Sequence, residues 1–210
     1  MTQDEWERGI ARADLCRFLA ACYYQPEPEF AEEKLFDSML AAASRISPEF
    51  AARAHRLRDA FATDDAETLT VDYTRLFLGP VDTLAQPYGS TWLSGRQALM
   101  QDSTVEVRQL YEEGGFEIDD GFRELPDHVA AELEFLYLLI FRETEAQRNG
   151  DLDSATALTA LRERFLTGHL GAWIGPFTRA VESGAQTTFY RELAELTRLF
   201  VMAESAAPLN

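Results

Sequence analysis

The chain has 210 residues, 46% of them hydrophobic, enough for one sizeable core, with two lobes (1–115 and 122–210, joined by 116–121) as the other division. Its 36 acidic against 19 basic side chains give a net charge of −17, which excludes nucleic acid as a partner because the phosphates would be repelled. No apolar run approaches the roughly 20 residues of a membrane span, and the acidic start Met1-Thr2-Gln3-Asp4-Glu5 lacks the regions of an export signal, so stable membrane insertion is excluded and a cytoplasmic protein is expected.

Thr2-x-x-Glu5 forms a capping box, and Trp6, Ile10, Ala13, Phe18 and Cys22 recur at helical spacing, which predicts a first helix over 4–24. Cys16 and Cys22, six residues apart, fall on different faces and do not bridge; no second Cys/His pair completes a zinc site. Pro26 and Pro28 end that helix. Phe30, Leu35, Phe36, Met39 and Leu40 mark a second. Ser47-Pro48 is an N-cap followed by proline, opening a third through Leu57 and Phe61. Asp64 or Asp65 caps a fourth, which carries Leu69, Tyr73, Leu76 and Phe77.

Residues 79–95 break the pattern with two prolines, three glycines, Tyr88 and Trp92, and are expected to be a long ordered loop. Its two large aromatics either wall a groove or plug the core. A helix from Arg96 to Glu113 follows, stopped by Gly114-Gly115. After the linker 116–123, Pro126 at a first helical turn and Asp127 near the positive end of the dipole open a central helix that runs to Asn149-Gly150. Its Phe135–Phe141 run is apolar without a break and is expected to be buried on all sides. Asp153 or Ser154 caps the next helix. Gly171, Gly175 and Pro176 then punctuate the chain before a short helix over 177–182 and a long one over 188–203. The expected class is all-α, a globular bundle of about nine or ten helices.

Acid–base chemistry, if any, gathers at Asp127, His128, Glu132 and Glu134. His128 and Glu132 are spaced i, i+4 and meet on one helix face. A di-iron bundle needs Glu-x-x-His on two helices, and this chain has one copy at the wrong spacing. No nucleophile elbow, His-Glu-x-x-His or phosphate loop is present. Asp127 and nearby glutamates suit a guanidinium as charge-assisted contacts, with Tyr88, Trp92, Leu76 and Phe77 as an apolar groove beside them. The His128 protonation state stays open: the helix end disfavours the cation, while Glu124 and Glu132 favour it. The competing reading is an acidic, hydrolase-like enzyme that uses Asp127 and His128.

Five stretches in order carry a resemblance: Tyr73-Thr74-Arg75-Leu76-Phe77-Leu78-Gly79-Pro80, Pro87-Tyr88-Gly89-Ser90-Thr91-Trp92-Leu93, Asp102-Ser103-Thr104, Glu124-Leu125-Pro126-Asp127-His128 and Phe189-Tyr190-Arg191-Glu192-Leu193. Together they resemble the TorD/DmsD/NarJ family of chaperones that mature molybdenum oxidoreductases, its DmsD and TorD branches most of all. The resemblance implies an all-helical, cytoplasmic, non-catalytic protein. It would bind the twin-arginine signal peptide of an apo catalytic subunit, hold that subunit back from export, and help it receive a molybdopterin cofactor. It implies no cofactor of the chain's own, with weak nucleotide binding as a further option that some relatives suggest, and it leaves monomer and domain-swapped dimer both open. The implied peptide-binding residues are Tyr73, Leu76, Phe77, Tyr88, Trp92, Pro126, Asp127, His128 and Glu132.

Overall fold

A computed structural model describes residues 1–26, 34–79, 83–93, 102–118 and 124–206. Ten α-helices and no strand occur among these residues: α1 (Gln3–Ala21), α2 (Leu35–Ile46), α3 (Pro48–Thr63), α4 (Ala66–Tyr73), α5 (Gly89–Leu93), α6 (Asp102–Gly114), α7 (Val129–Asn149), α8 (Leu152–Gly168), α9 (Leu170–Gly184) and α10 (Thr188–Ala206). The all-α class read from the sequence is the class observed.

Local signals placed several helices. Thr2 and Glu5 make the reciprocal capping box of α1. The Ser47 hydroxyl accepts the Phe50 N–H ahead of Pro48 at the start of α3, and Asp65, rather than Asp64, caps α4. Gly115 takes a left-handed φ of 63° that ends α6, where a side chain would be strained. Phe30 and the stretch 96–101, expected to be helical, lie outside the described residues, as do Pro80–Asp82 and the end of the expected loop at 94–95.

α7 is the organising element. It packs along α1 on one side and α8 on another, while α9 and α10 pair with each other and close over α8 and α3. Val129, Leu133, Phe135, Leu136 and Leu139 are fully buried within one continuous core. The expected all-round burial fails in its second half. Phe141 is 38% exposed, and Tyr137 is half-buried with its ring 6.1 Å from that of Phe141. Arg17 of α1 reaches across that face to within 5.8 Å of the Tyr137 ring.

Four boundaries differ from expectation, each for a reason of tertiary structure. The 79–95 stretch is not all loop, because Gly89–Leu93 coils into α5 against α9. Between α4 and that stretch, Thr74–Leu78 widens into a π-turn, which frees the Leu76 carbonyl to accept the Ala85 N–H at 2.9 Å. Asp151, not Asp153 or Ser154, caps α8. Pro176 does not interrupt α9, which runs unbroken through Gly171, Gly175 and Pro176. Trp173, Ile174, Phe177 and Val181 are all fully buried there, and their packing outweighs the one backbone bond a proline removes.

Candidate functional site

The start of α7 is a fifth departure, and it shapes the site. Pro126 and Asp127 precede the helix rather than forming its first turn. His128 is the N-cap, with extended backbone (φ −68°, ψ 140°) and Nδ1 accepting the Ala130 N–H at 3.2 Å. Capping by imidazole leaves the Asp127 carboxylate to turn away from its own helix. Its Oδ2 accepts the Ser90 N–H at 2.8 Å, one of the donors that the start of α5 leaves unpaired.

Two backbone bonds complete this strap. Gly89 N–H donates to the Asp127 carbonyl and Val129 N–H to the Pro87 carbonyl, each at 2.8 Å, so that Tyr88 and His128 pair antiparallel. The Tyr111 hydroxyl holds the Pro126 carbonyl at 2.8 Å from α6. The stretches Pro87–Leu93 and Glu124–His128, distant in sequence, are thereby one rigid unit. Gly89 sits so close beneath it that a Cβ there would lie 2.8 Å from Trp173 Nε1 and 3.0 Å from Glu132 Oε1.

Beneath the strap lies a dry acidic layer. Asp127 is 1% and Glu132 0% exposed. Glu132 Oε2 accepts the Trp173 indole N–H at 3.0 Å, while Glu132 Oε1 and Asp127 Oδ1 meet no hydrogen-bond partner among the described residues. Burial pushes the Glu132 carboxyl well above the usual range, against the Trp173 hydrogen bond and with help from the Asp127 charge.

On the outer side, a cleft of about 410 Å³ opens between the end of α1, the end of α4 and the start of α7. Tyr24, Tyr73, Leu78, Glu124 and His128 line it, with Ala21 and Gln25 at its edge. The Tyr88 hydroxyl donates to Glu124 Oε2 at 2.5 Å, and the Tyr88 ring stands edge-on to His128 at 5.5 Å. Tyr24 stacks along the other side of His128 at 6.4 Å and donates its hydroxyl to Glu134 at 2.8 Å.

Of the nine expected residues, the structure brings Tyr73 and His128 to the cleft and Tyr88 to its rim. Asp127 and Glu132 lie below the strap, and Pro126 is half-buried behind it. Trp92 is half-buried too, its indole N–H donating to the Gln86 carbonyl at 2.8 Å and its ring standing edge-on to that of Phe177 with centroids 6.3 Å apart. Leu76 and Phe77 are core residues, 0% and 4% exposed, and Phe77 packs among Tyr23, Tyr73, Phe177 and Tyr190. Sequence reading did not single out Tyr24, Tyr111 and Trp173. Only the folded chain sets them beside residues more than a dozen positions away.

Burial, opposed by the charges of Glu124 and Asp127, lowers the His128 pKa from 6.5 to about 4, so the imidazole is neutral at pH 7. The sign for stability follows from this. The unfolded chain takes up the proton below about pH 6.5 and the folded chain only near pH 4. The stabilisation is therefore complete above pH 6.5 and is lost as pH falls between those values, by roughly 3 kcal/mol. Glu132 has the opposite sign, since its folded carboxyl keeps its proton above the unfolded value, so the His128 contribution must be isolated by difference. The urea-unfolding free energy of wild type minus that of His128→Asn, which can still cap α7, is expected to fall by that amount from pH 7 to pH 4. A flat difference would put the imidazole in contact with solvent.

The fold and this site together define an all-helical protein with a cleft framed by aromatic rings and carboxylates. Residues 43–179 match the family model described as nitrate reductase delta subunit. The chain is 31% identical over 139 residues to the Tat proofreading chaperone DmsD of Salmonella typhimurium, covering 66% of this chain and 61% of that one. It is 33% identical over 157 residues to the selenate reductase assembly chaperone protein of Thauera selenatis, covering 72% of this chain and 78% of that one. Its fold resembles the crystal structure of a proposed redox enzyme maturation protein from Archaeoglobus fulgidus, with a TM-score of 0.55, 23% identity, and 91% and 93% of the two chains covered. The chain belongs to the nitrate reductase delta subunit family, the TorD/DmsD/NarJ group of redox-enzyme assembly chaperones. That membership sets aside the hydrolase reading of Asp127 and His128, because the family consists of assembly chaperones and not catalysts.

Proposed function

We propose that this protein binds the twin-arginine signal peptide of a molybdenum oxidoreductase apo-subunit in the cytoplasm and keeps the subunit from export while its molybdopterin cofactor is loaded. The observation that carries the reading is the cleft at the strapped start of α7, where Tyr24, Tyr73 and Tyr88 surround a carboxylate and a neutral imidazole. A protein of net charge −17 draws a cationic leader toward such a cleft over long range. The DmsD relative, a Tat proofreading chaperone, supports the signal-peptide part, and the selenate reductase assembly chaperone supports the redox-enzyme part. Among the described residues no helix is long and apolar enough to cross a membrane. The cofactor belongs to the client; the chaperone requires none of its own and holds its partner as a monomer or a domain-swapped dimer.

In this reading the nine expected residues divide their work. Tyr73, His128 and Tyr88 meet the peptide at the cleft, and Trp92 continues the wall toward its apolar run. Pro126, Asp127, Glu132, Leu76 and Phe77 hold those residues in place from behind. Calorimetry with a synthetic peptide carrying an Arg-Arg pair ahead of an apolar run is expected to show saturable binding that weakens with salt. Duplex DNA at physiological salt is expected to give none. Uptake of DNA with no uptake of the peptide would end the reading.

A further inference from the structure

We infer that Glu124, set among the rings of Tyr24, Tyr73 and Tyr88, is the receptor for one arginine side chain of the bound peptide. This rests on the signal-peptide reading and assigns its cation to a particular carboxylate, which the motif around Asp127 and His128 does not reveal.

Three carboxylates stand near the start of α7, and the structure separates them. Asp127 is 1% exposed and spends Oδ2 on the Ser90 N–H. Glu132 is 0% exposed, and burial favours its protonated form. Neither faces the cleft. Glu124 lines the cleft directly and is only partly buried. Tyr88 donates to its Oε2, which fixes the carboxylate plane. Oε1 meets no donor among the described residues, and a carboxylate oxygen has a second lone pair in reserve. A guanidinium entering the cleft therefore finds a pre-oriented, charge-assisted acceptor.

The surroundings suit a planar cation. The hydroxyls of Tyr24 and Tyr73 are turned away, to Glu134 and to the Tyr23 carbonyl, so these residues offer their rings to the cleft rather than their polar tips. Burial first, and the Glu124 charge with it, raises the Tyr73 hydroxyl to about 12 and pushes Tyr88 higher still, so both stay neutral near pH 7. His128, neutral at the back wall, adds no positive charge to repel the guest. A cation over tyrosine faces gains further from the ring quadrupoles. Arginine stacks flat and pairs two N–H groups with one carboxylate, which lysine does not. The cleft volume of about 410 Å³ lies within the range of roughly 300–1,000 Å³ for small-ligand pockets.

The test uses the full chain and three synthetic peptides that differ only at the arginine pair: Arg-Arg, Lys-Lys and norleucine-norleucine ahead of the same apolar run. Wild type is expected to prefer Arg-Arg over both. Glu124→Gln keeps the shape and still accepts from Tyr88, so it folds as wild type by circular dichroism. It is expected to lose about tenfold or more in affinity for Arg-Arg and to bind norleucine-norleucine as wild type does, with a shallower salt dependence. Tyr24→Leu, which removes one ring face, is expected to narrow the preference for Arg-Arg over Lys-Lys. If wild type binds Arg-Arg selectively while Glu124→Gln keeps wild-type affinity and salt slope, the Glu124 assignment is overturned and the peptide reading stands. If wild type takes up none of the three, the peptide reading falls and this assignment falls with it.

Discussion

Trp173→Ala is expected to lower stability by about 3–5 kcal/mol, the usual range for deleting a buried large aromatic. Trp173 is fully buried. Its ring meets Phe177 edge-on at 5.3 Å, and its indole N–H is the one donor to the Glu132 carboxyl among the described residues. The substitution therefore opens a cavity under the strap and leaves a buried carboxyl with no partner. Trp173→Phe separates the two losses. It refills most of the volume but still removes the donor, so it is expected to cost about 1–3 kcal/mol, the penalty of an unsatisfied buried polar group. Urea unfolding of both variants gives the ratio. Equal losses in the two would assign the whole effect to the hydrogen bond and none to packing. The cleft should suffer with the strap, because Gly89 rests on Trp173 and Glu132, and Tyr88 and His128 pair across it.

The parts of this fold legible in the sequence are those written in local chemistry. Thr2 with Glu5, Ser47 before Pro48 and the glycine pair at 114–115 act within one turn, where no distant residue competes. Pro126 misled because it marks a helix start only if the next residues continue the helix. Here Asp127 finds a better partner in the Ser90 N–H, from a segment 37 residues earlier, and His128 takes over the cap. Pro176 misled in the opposite direction, since the buried side of α9 outweighs the bond it loses. The site divides along the same line. The polar motif at 124–128 and the aromatics of 87–93 stand out in sequence, and the structure straps them together. Which carboxylate is dry and which faces the cleft depends on Trp173 and Tyr111, from two other helices, and on Tyr24, from the turn after α1, so no spacing rule could rank Glu124 against Asp127.

Asp72→Ala is expected to cost about 2–5 kcal/mol, because it leaves buried hydrogen-bond donors unpaired at about 1–3 kcal/mol each, and thus a large share of the roughly 5–15 kcal/mol that holds a typical domain together. Asp72 projects from α4 and is 1% exposed. Its Oδ2 accepts three donors from the corner between α9 and α10: the Gln186 N–H at 2.9 Å, and the Thr187 N–H and hydroxyl at 2.8 Å each. Its Oδ1 accepts from Arg75 at 2.6 Å, and Arg75 in turn reaches the Gly184 carbonyl at 3.4 Å. One carboxylate thus fastens the fourth helix to the start of the last, and alanine would strand the buried N–H and hydroxyl of Thr187 and release the more exposed Gln186 N–H to water. Asp72→Asn keeps one acceptor oxygen but turns an N–H₂ group toward the other donors, so its cost should fall between wild type and alanine. The effect reaches the cleft through the adjacent residue. Tyr73 lines it, and its ring is placed by packing on Phe77 and Tyr190, the latter three residues beyond the Thr187 anchor. Asp72→Ala, assayed at a temperature where it is still folded, should therefore also bind the Arg-Arg peptide more weakly than wild type. A loss below about 1 kcal/mol with unchanged affinity would mean that the packing of Phe189 and Tyr190 against α2, α3 and α4 holds the corner without the carboxylate.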